Sequence, residues 1–101
     1  MDRLTEFLTK DIRDGLIDLH FGWIDKSTLG GLFNDDNGDT KIVFNVALMI
    51  ADTFVHEMYH YHMPHLTEEE VLKKTQSLLN RMTVKQIKDI FVFAVEQEGG
   101  V

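Results

Sequence analysis

The chain has 101 residues, a length that suits one small domain, and we expect residues 1–101 to form a single domain. Its 44% hydrophobic and 27% charged residues are typical of a globular protein and not of a disordered one. The net charge of −7 argues against nucleic acid as a partner, because phosphate binding requires clustered lysine and arginine. The absence of cysteine excludes disulfides, thiolate zinc sites and cysteine nucleophiles.

The hydropathy pattern predicts neither secretion nor membrane insertion. Residues 1–11 alternate charged and apolar side chains and lack the continuous apolar core of a secretory signal. The longest mainly apolar stretch, residues 42–51, is too short to span a bilayer. We therefore expect a cytoplasmic protein without a membrane partner. We also expect the protein to be a monomer.

The first half of the chain predicts one helix followed by three short strands. Residues 2–14 place apolar side chains at the spacing of an amphipathic helix. The β-branched and aromatic residues of 16–24 predict a strand. Residues 30–33 and 40–45 predict a β-hairpin, because an Asn-Gly turn signal lies between them.

The second half predicts three helices. Helical spacing runs over residues 47–63, and Pro64 ends that helix. Thr67 and Glu70 have the spacing of a capping box and predict the start of the next helix. Thr83 is the expected N-cap of the last helix. One helix, three strands and three helices predict an α+β fold.

Residues 56–60 carry the pattern His-Glu-x-x-His inside the predicted helix. His56 and His60 project from one helix face and lie close enough to share a metal ion. Glu57 lies about 100° round the helix axis, where it can reach a water bound to that metal without being a ligand. Two neutral imidazoles and a carboxylate base suit zinc hydrolysis, so the pattern predicts Zn²⁺ as cofactor and Glu57 as catalytic base.

Two histidines leave the zinc site incomplete, and the third ligand is expected just downstream. Glu68 is favoured because it falls on the predicted inward face of its helix, one turn before Leu72. Glu69 is the second choice of ligand, since a small rotation of the helix start would exchange the directions of the two side chains. Glu70 is expected to cap the helix. His65 lacks the spacing and the glycine of a metzincin third histidine. An acidic first turn that only complements the helix dipole would have the same sequence.

With these residues the chain resembles the gluzincin zinc metallopeptidases, which combine His-Glu-x-x-His with a glutamate on a following helix. Its length makes it most similar to the minigluzincins. The resemblance implies a minimal zincin-like domain, a zinc metalloendopeptidase activity on peptide or protein substrates, and metal ligation by His56, His60 and Glu68. It also implies that a C-terminal segment, residues 96–101, can fold back into the cleft as an inhibitory tail and keep the enzyme latent.

The resemblance further implies that substrate is added as a strand to a sheet edge, for which residues 40–45 are the candidate. The chain departs from thermolysin-like gluzincins in one respect, because no acidic residue stands four positions after Glu68 to orient the first zinc histidine. Asp52, one helical turn before His56, lies on the correct face to replace it.

Two questions stay open at this point. The second donor for the oxyanion can be any of four nearby side chains, namely Tyr59, Tyr61, His62 and His65. The alternative to a peptidase is a non-catalytic zinc-binding module with a regulatory or interaction role, in which His62 or His65 completes a closed four-ligand site.

Overall fold

The computed structural model describes residues 2–99. Its elements, in chain order, are α1 (Arg3–Arg13), β1 (Ile17–Phe21), β2 (Gly30–Asn34), β3 (Thr40–Phe44), α2 (Val46–His62), α3 (Glu68–Arg81) and α4 (Val84–Glu98). Four helices and a small mixed sheet confirm the predicted α+β class. Each predicted helix and strand is present, and the largest difference is in β1, which is shorter than the predicted 16–24.

The three strands are ordered β1-β3-β2, with β1 parallel and β2 antiparallel to β3. The predicted hairpin of β2 and β3 is confirmed, and Gly38 in its turn adopts a φ of 82° that favours glycine. The prediction that residues 40–45 offer a free sheet edge is wrong, because β3 is the central strand and pairs on both sides. The free edges belong to β1 and β2.

The start of α2 is fixed by the buried side chain of Asn45, which is 0% exposed. Its amide nitrogen donates to the backbone carbonyls of Asp25 and Thr28 at 2.9 and 3.0 Å. Its amide oxygen accepts the N–H of Leu48 at 3.4 Å as the helix N-cap. One side chain thus joins the loop after β1 to the first turn of the helix that carries the histidines.

The core lies among the last three helices, where α2 packs against both α3 and α4. Five side chains form its centre: Leu48, Ala51, Val55, Leu79 and Ile87. Leu72, predicted to face inward, is 54% exposed, so the inward face of α3 is set by Val71, Thr75 and Leu79 instead. Helix α1 has no buried residue and contacts chiefly β1.

The last helix, α4, includes part of the segment expected to be an inhibitory tail. Helix α4 continues through Glu98, and Gly99 caps it with an N–H bonded to the Val95 carbonyl at 2.9 Å. Residues 96–98 of the expected inhibitory tail are therefore the final helical turn, and residues 100–101 lie outside the described residues. Within residues 2–99, no helix is both long and apolar enough to cross a membrane.

Candidate metal centre

Helix α2 brings the two histidines of the motif together. Because they are four residues apart, His56 and His60 lie one turn above each other on the same face. Their Nε2 atoms are 3.1 Å apart and their ring centroids 4.8 Å apart. The side chains are 17% and 33% exposed, so both rings are partly shielded by the protein. Their Nε2 atoms point to the same place beside the helix, where one ion could contact both.

The third group comes from the first turn of α3. Glu68 places one carboxylate oxygen 2.8 Å from Nε2 of His56 and the other 2.8 Å from Nε2 of His60. Its neighbours have other contacts. Glu69 pairs with Lys73 at 3.3 Å on the surface, and Glu70 forms the predicted capping box. Of the three consecutive glutamates, the structure directs only Glu68 to the histidine pair.

The capping box fixes the helix start that carries Glu68. The Thr67 hydroxyl accepts the N–H of Glu70, and the Glu70 carboxylate accepts the N–H of Thr67, each at 3.1 Å. The N–H that Thr67 donates also holds the pKa of Glu70 below its ordinary value. These two bonds set the orientation of the first turn, in which Glu68 is directed towards α2.

The donor set fits a divalent transition metal. The two imidazole nitrogens and the carboxylate oxygens lie within 4.8 Å of one another, and no other group of three or more potential metal ligands occurs among residues 2–99. Ligands about 2.0–2.1 Å from a tetrahedral zinc are about 3.3 Å apart. The separations of 2.8–3.1 Å are close to that value, so a small expansion of the group would accommodate the ion.

The centre is open on its α3 side, and the candidate base is accessible. Glu68 is 62% exposed, although both of its oxygens contact histidine nitrogens. Glu57 lies on the exposed surface of α2 directly after His56. In the described part of the chain its carboxylate has no hydrogen bond or ion pair, so it is free to interact with a water or substrate group beside the histidines.

Other residues singled out from the sequence lie elsewhere. His65 is exposed and outside the ligand group. Tyr59 packs against the core, and both Tyr59 and His62 line an apolar cavity of about 700 Å³ bordered by α2, α3 and α4. Within residues 2–99, no hydrogen bond joins Asp52 to His56, so the expected orienting contact is not formed. The cavity itself was not predicted, because apolar residues that line a cavity have the same helical spacing as core residues.

The comparisons with known proteins add no relative. No family model matches the chain, and neither the search of curated proteins nor that of solved structures finds a match. The assignment of a function therefore depends on the geometry of the centre alone.

Proposed function

We propose that this protein is a zinc-dependent metallopeptidase in which His56, His60 and Glu68 hold the metal and Glu57 is the catalytic base. The observation that carries the proposal is the convergence of the Glu68 carboxylate on both histidine nitrogens at 2.8 Å. Two histidines and one carboxylate are the protein ligands of one class of catalytic zinc site, in which the fourth position is open to water or substrate. The donor set supports a transition metal, and the adjacent glutamate supports catalysis over simple binding.

Zinc bound at this centre would serve as a Lewis acid towards the scissile carbonyl. Glu57 would accept a proton from the attacking water and deliver it to the leaving amine. Its exposed position beside His56 suits this role, because the base must reach the attacking water from outside the ligand set. The partly shielded rings of the two histidines would keep the ligand atoms in place while the open side admits a peptide.

The peptide would be bound as an added strand, because such binding requires only an unpaired strand edge. The outer edges of β1 and β2 satisfy this condition, whereas the central β3 does not. Neither strand contributes a ligand to the group, so the sheet would position the substrate and the helices would carry the chemistry.

Metal analysis combined with a casein cleavage assay tests the proposal on the full chain. We expect about one zinc per chain. Cleavage by the full chain, or by a chain that ends at Val95, should be lost in the presence of a chelator and should return when zinc is added. Glu57→Gln should abolish cleavage and leave zinc content unchanged, whereas Glu69→Gln, the matched control on α3, should change neither. Absence of stoichiometric zinc from the wild-type chain would contradict the proposed metal site, and with it the proposed activity.

The same experiment separates the peptidase from a non-catalytic zinc-binding module. Such a module would bind zinc, cleave nothing and be indifferent to Glu57→Gln. A chain that ends at Val95 is included, because the resemblance to minigluzincins implies latency through residues 96–101. Cleavage by the shortened chain alone would support a latent peptidase, and cleavage by neither form would favour the module.

A further inference from the structure

Helix α1 presents an apolar stripe that its own chain does not cover. Leu4, Phe7 and Leu8, which form this α1 stripe, are 67%, 77% and 65% exposed. The helix is well formed, with Asp2 as N-cap accepting the N–H of Thr5 at 2.8 Å. A short, stable amphipathic helix with an exposed apolar stripe requires a partner surface, because the stripe otherwise remains in water.

The turn after α1 holds the helix in this exposed orientation. Gly15 adopts a φ of 78°, and its N–H bonds to the Ile12 carbonyl at 3.1 Å. The N–H of Leu16 bonds to the Asp11 carbonyl at 2.8 Å. Together these contacts form a Schellman motif, which fixes the direction in which the chain leaves the helix. Since β1 begins two residues after Gly15, the motif sets the direction of α1 relative to the first strand.

One face of the sheet is also apolar and exposed. Residues that pair directly across strands share a face, so the register places Leu19, Ile42 and Leu32 in one row. Phe21 and Phe44 form the next row and contact each other edge-on at 5.8 Å. These five residues are the apolar sheet face. Its two outer strands are the most exposed, with Leu19 at 45%, Phe21 at 75% and Leu32 at 64%.

The uncovered area matches what a stable dimer buries. At about 150–250 Å² per large side chain, the exposed fractions of the α1 stripe, Leu16 and the outer strands amount to on the order of 900 Å² per chain. A standard protein interface buries about 800 Å² per partner. The radius of gyration points the same way, since 16.9 Å exceeds the roughly 13 Å of a compact chain of this length.

We propose that the protein forms a symmetric dimer in which α1 of each copy packs on the apolar sheet face of the other. A second copy is the occupant that supplies both missing surfaces at once, since each chain has one uncovered stripe and one uncovered face. A two-fold axis then forms both contacts reciprocally. The proposed dimer differs from the monomer expected from the sequence, and it is independent of the proposed peptidase activity.

The oligomeric state of the full chain and of three variants tests the dimer. We expect a dimer by analytical ultracentrifugation, and Phe7→Asp and Leu32→Asp should each weaken it by at least about a hundredfold, since every substitution acts at two equivalent contacts. Val95→Asp is the matched control, because Val95 is 50% exposed and lies on α4, which belongs to neither surface. A wild-type chain that stays monomeric at high micromolar concentration overturns the proposal, as does a dimer that tolerates Leu32→Asp.

Cross-linking separates exchange between chains from closure within one chain, and it remains informative if the aspartate variants do not fold. Because the chain has no cysteine, a Phe7→Cys and Leu32→Cys double variant has one designed pair. Oxidation should give a covalent dimer on a non-reducing gel, and each single variant should remain monomeric there. A double variant that cross-links within one chain would overturn the proposal, and cross-linking by Phe7→Cys alone would show a helix-on-helix contact instead.

Discussion

Replacement of Glu68 by glutamine isolates the contribution of one carboxylate to the metal centre. In the wild-type structure both oxygens of Glu68 lie 2.8 Å from histidine nitrogens. Glutamine keeps the shape of the side chain but removes its negative charge and exchanges one oxygen for an N–H₂ group. That group is a donor only and has no lone pair for a metal, so at least one of the two convergent positions is lost.

The expected loss of zinc affinity follows from the number of ligands. Structural zinc sites with four protein ligands bind with about 10–16 kcal/mol, or roughly 2.5–4 kcal/mol per ligand. Because the glutamine retains one oxygen, we expect the loss to lie near the lower value, which weakens binding by about a hundredfold. The measurement is a competition titration of the zinc-loaded protein with a chromophoric chelator at constant pH.

Glu69→Gln is the matched control because it makes the same chemical change one residue further along α3. Among residues 2–99, the only ion pair or hydrogen bond of the Glu69 side chain is with Lys73, at 3.3 Å, and both side chains are more than three-quarters exposed. We expect no change in zinc affinity from this variant. Equal affinities of Glu68→Gln and the wild type would refute the assignment of the third ligand, and so would a loss confined to Glu69→Gln.

Three further variants test the packing that supports the centre. Thr75→Val should raise the free energy of unfolding by about 1 kcal/mol in a urea titration, because the buried Thr75 hydroxyl has no hydrogen-bond partner in the described chain. Asn45→Ala should lower the free energy of unfolding by about 3 kcal/mol, since the carbonyls of Asp25 and Thr28 lose their donor. An unchanged urea midpoint would contradict that role of Asn45. The N–H of Ser27 and the Thr28 hydroxyl hold the pKa of Asp25 below 3.8, so the stabilisation by this carboxylate is present above that pH and lost as the pH falls through the folded pKa. Asp25→Asn should therefore remove part of the acid sensitivity in urea titrations below about pH 4, and an identical pH profile would show that the carboxylate has no such effect.

The sequence by itself determined the local features of the protein. The spacing of His56 and His60 on one helix face follows from the helical period and needs no tertiary information. The same is true of the capping box at Thr67 and Glu70 and of the β2–β3 hairpin, because each is formed by residues close together in the chain. The order of helices and strands was predictable for the same reason, because caps, turns and hydrophobic periods are all formed by residues close together in the chain.

Only the tertiary structure decided the features that join distant segments. The choice of Glu68 over Glu69 depends on how α3 is rotated against α2, and a rotation of about 100° separates neighbouring residues. The free edges of the sheet depend on the pairing of β1 with β3, for which the local pattern contains no signal. The exposure of Leu72 and of the α1 stripe could not be predicted from the sequence either. A hydrophobic period shows which residues share a face, but only the assembled molecule shows whether anything covers that face.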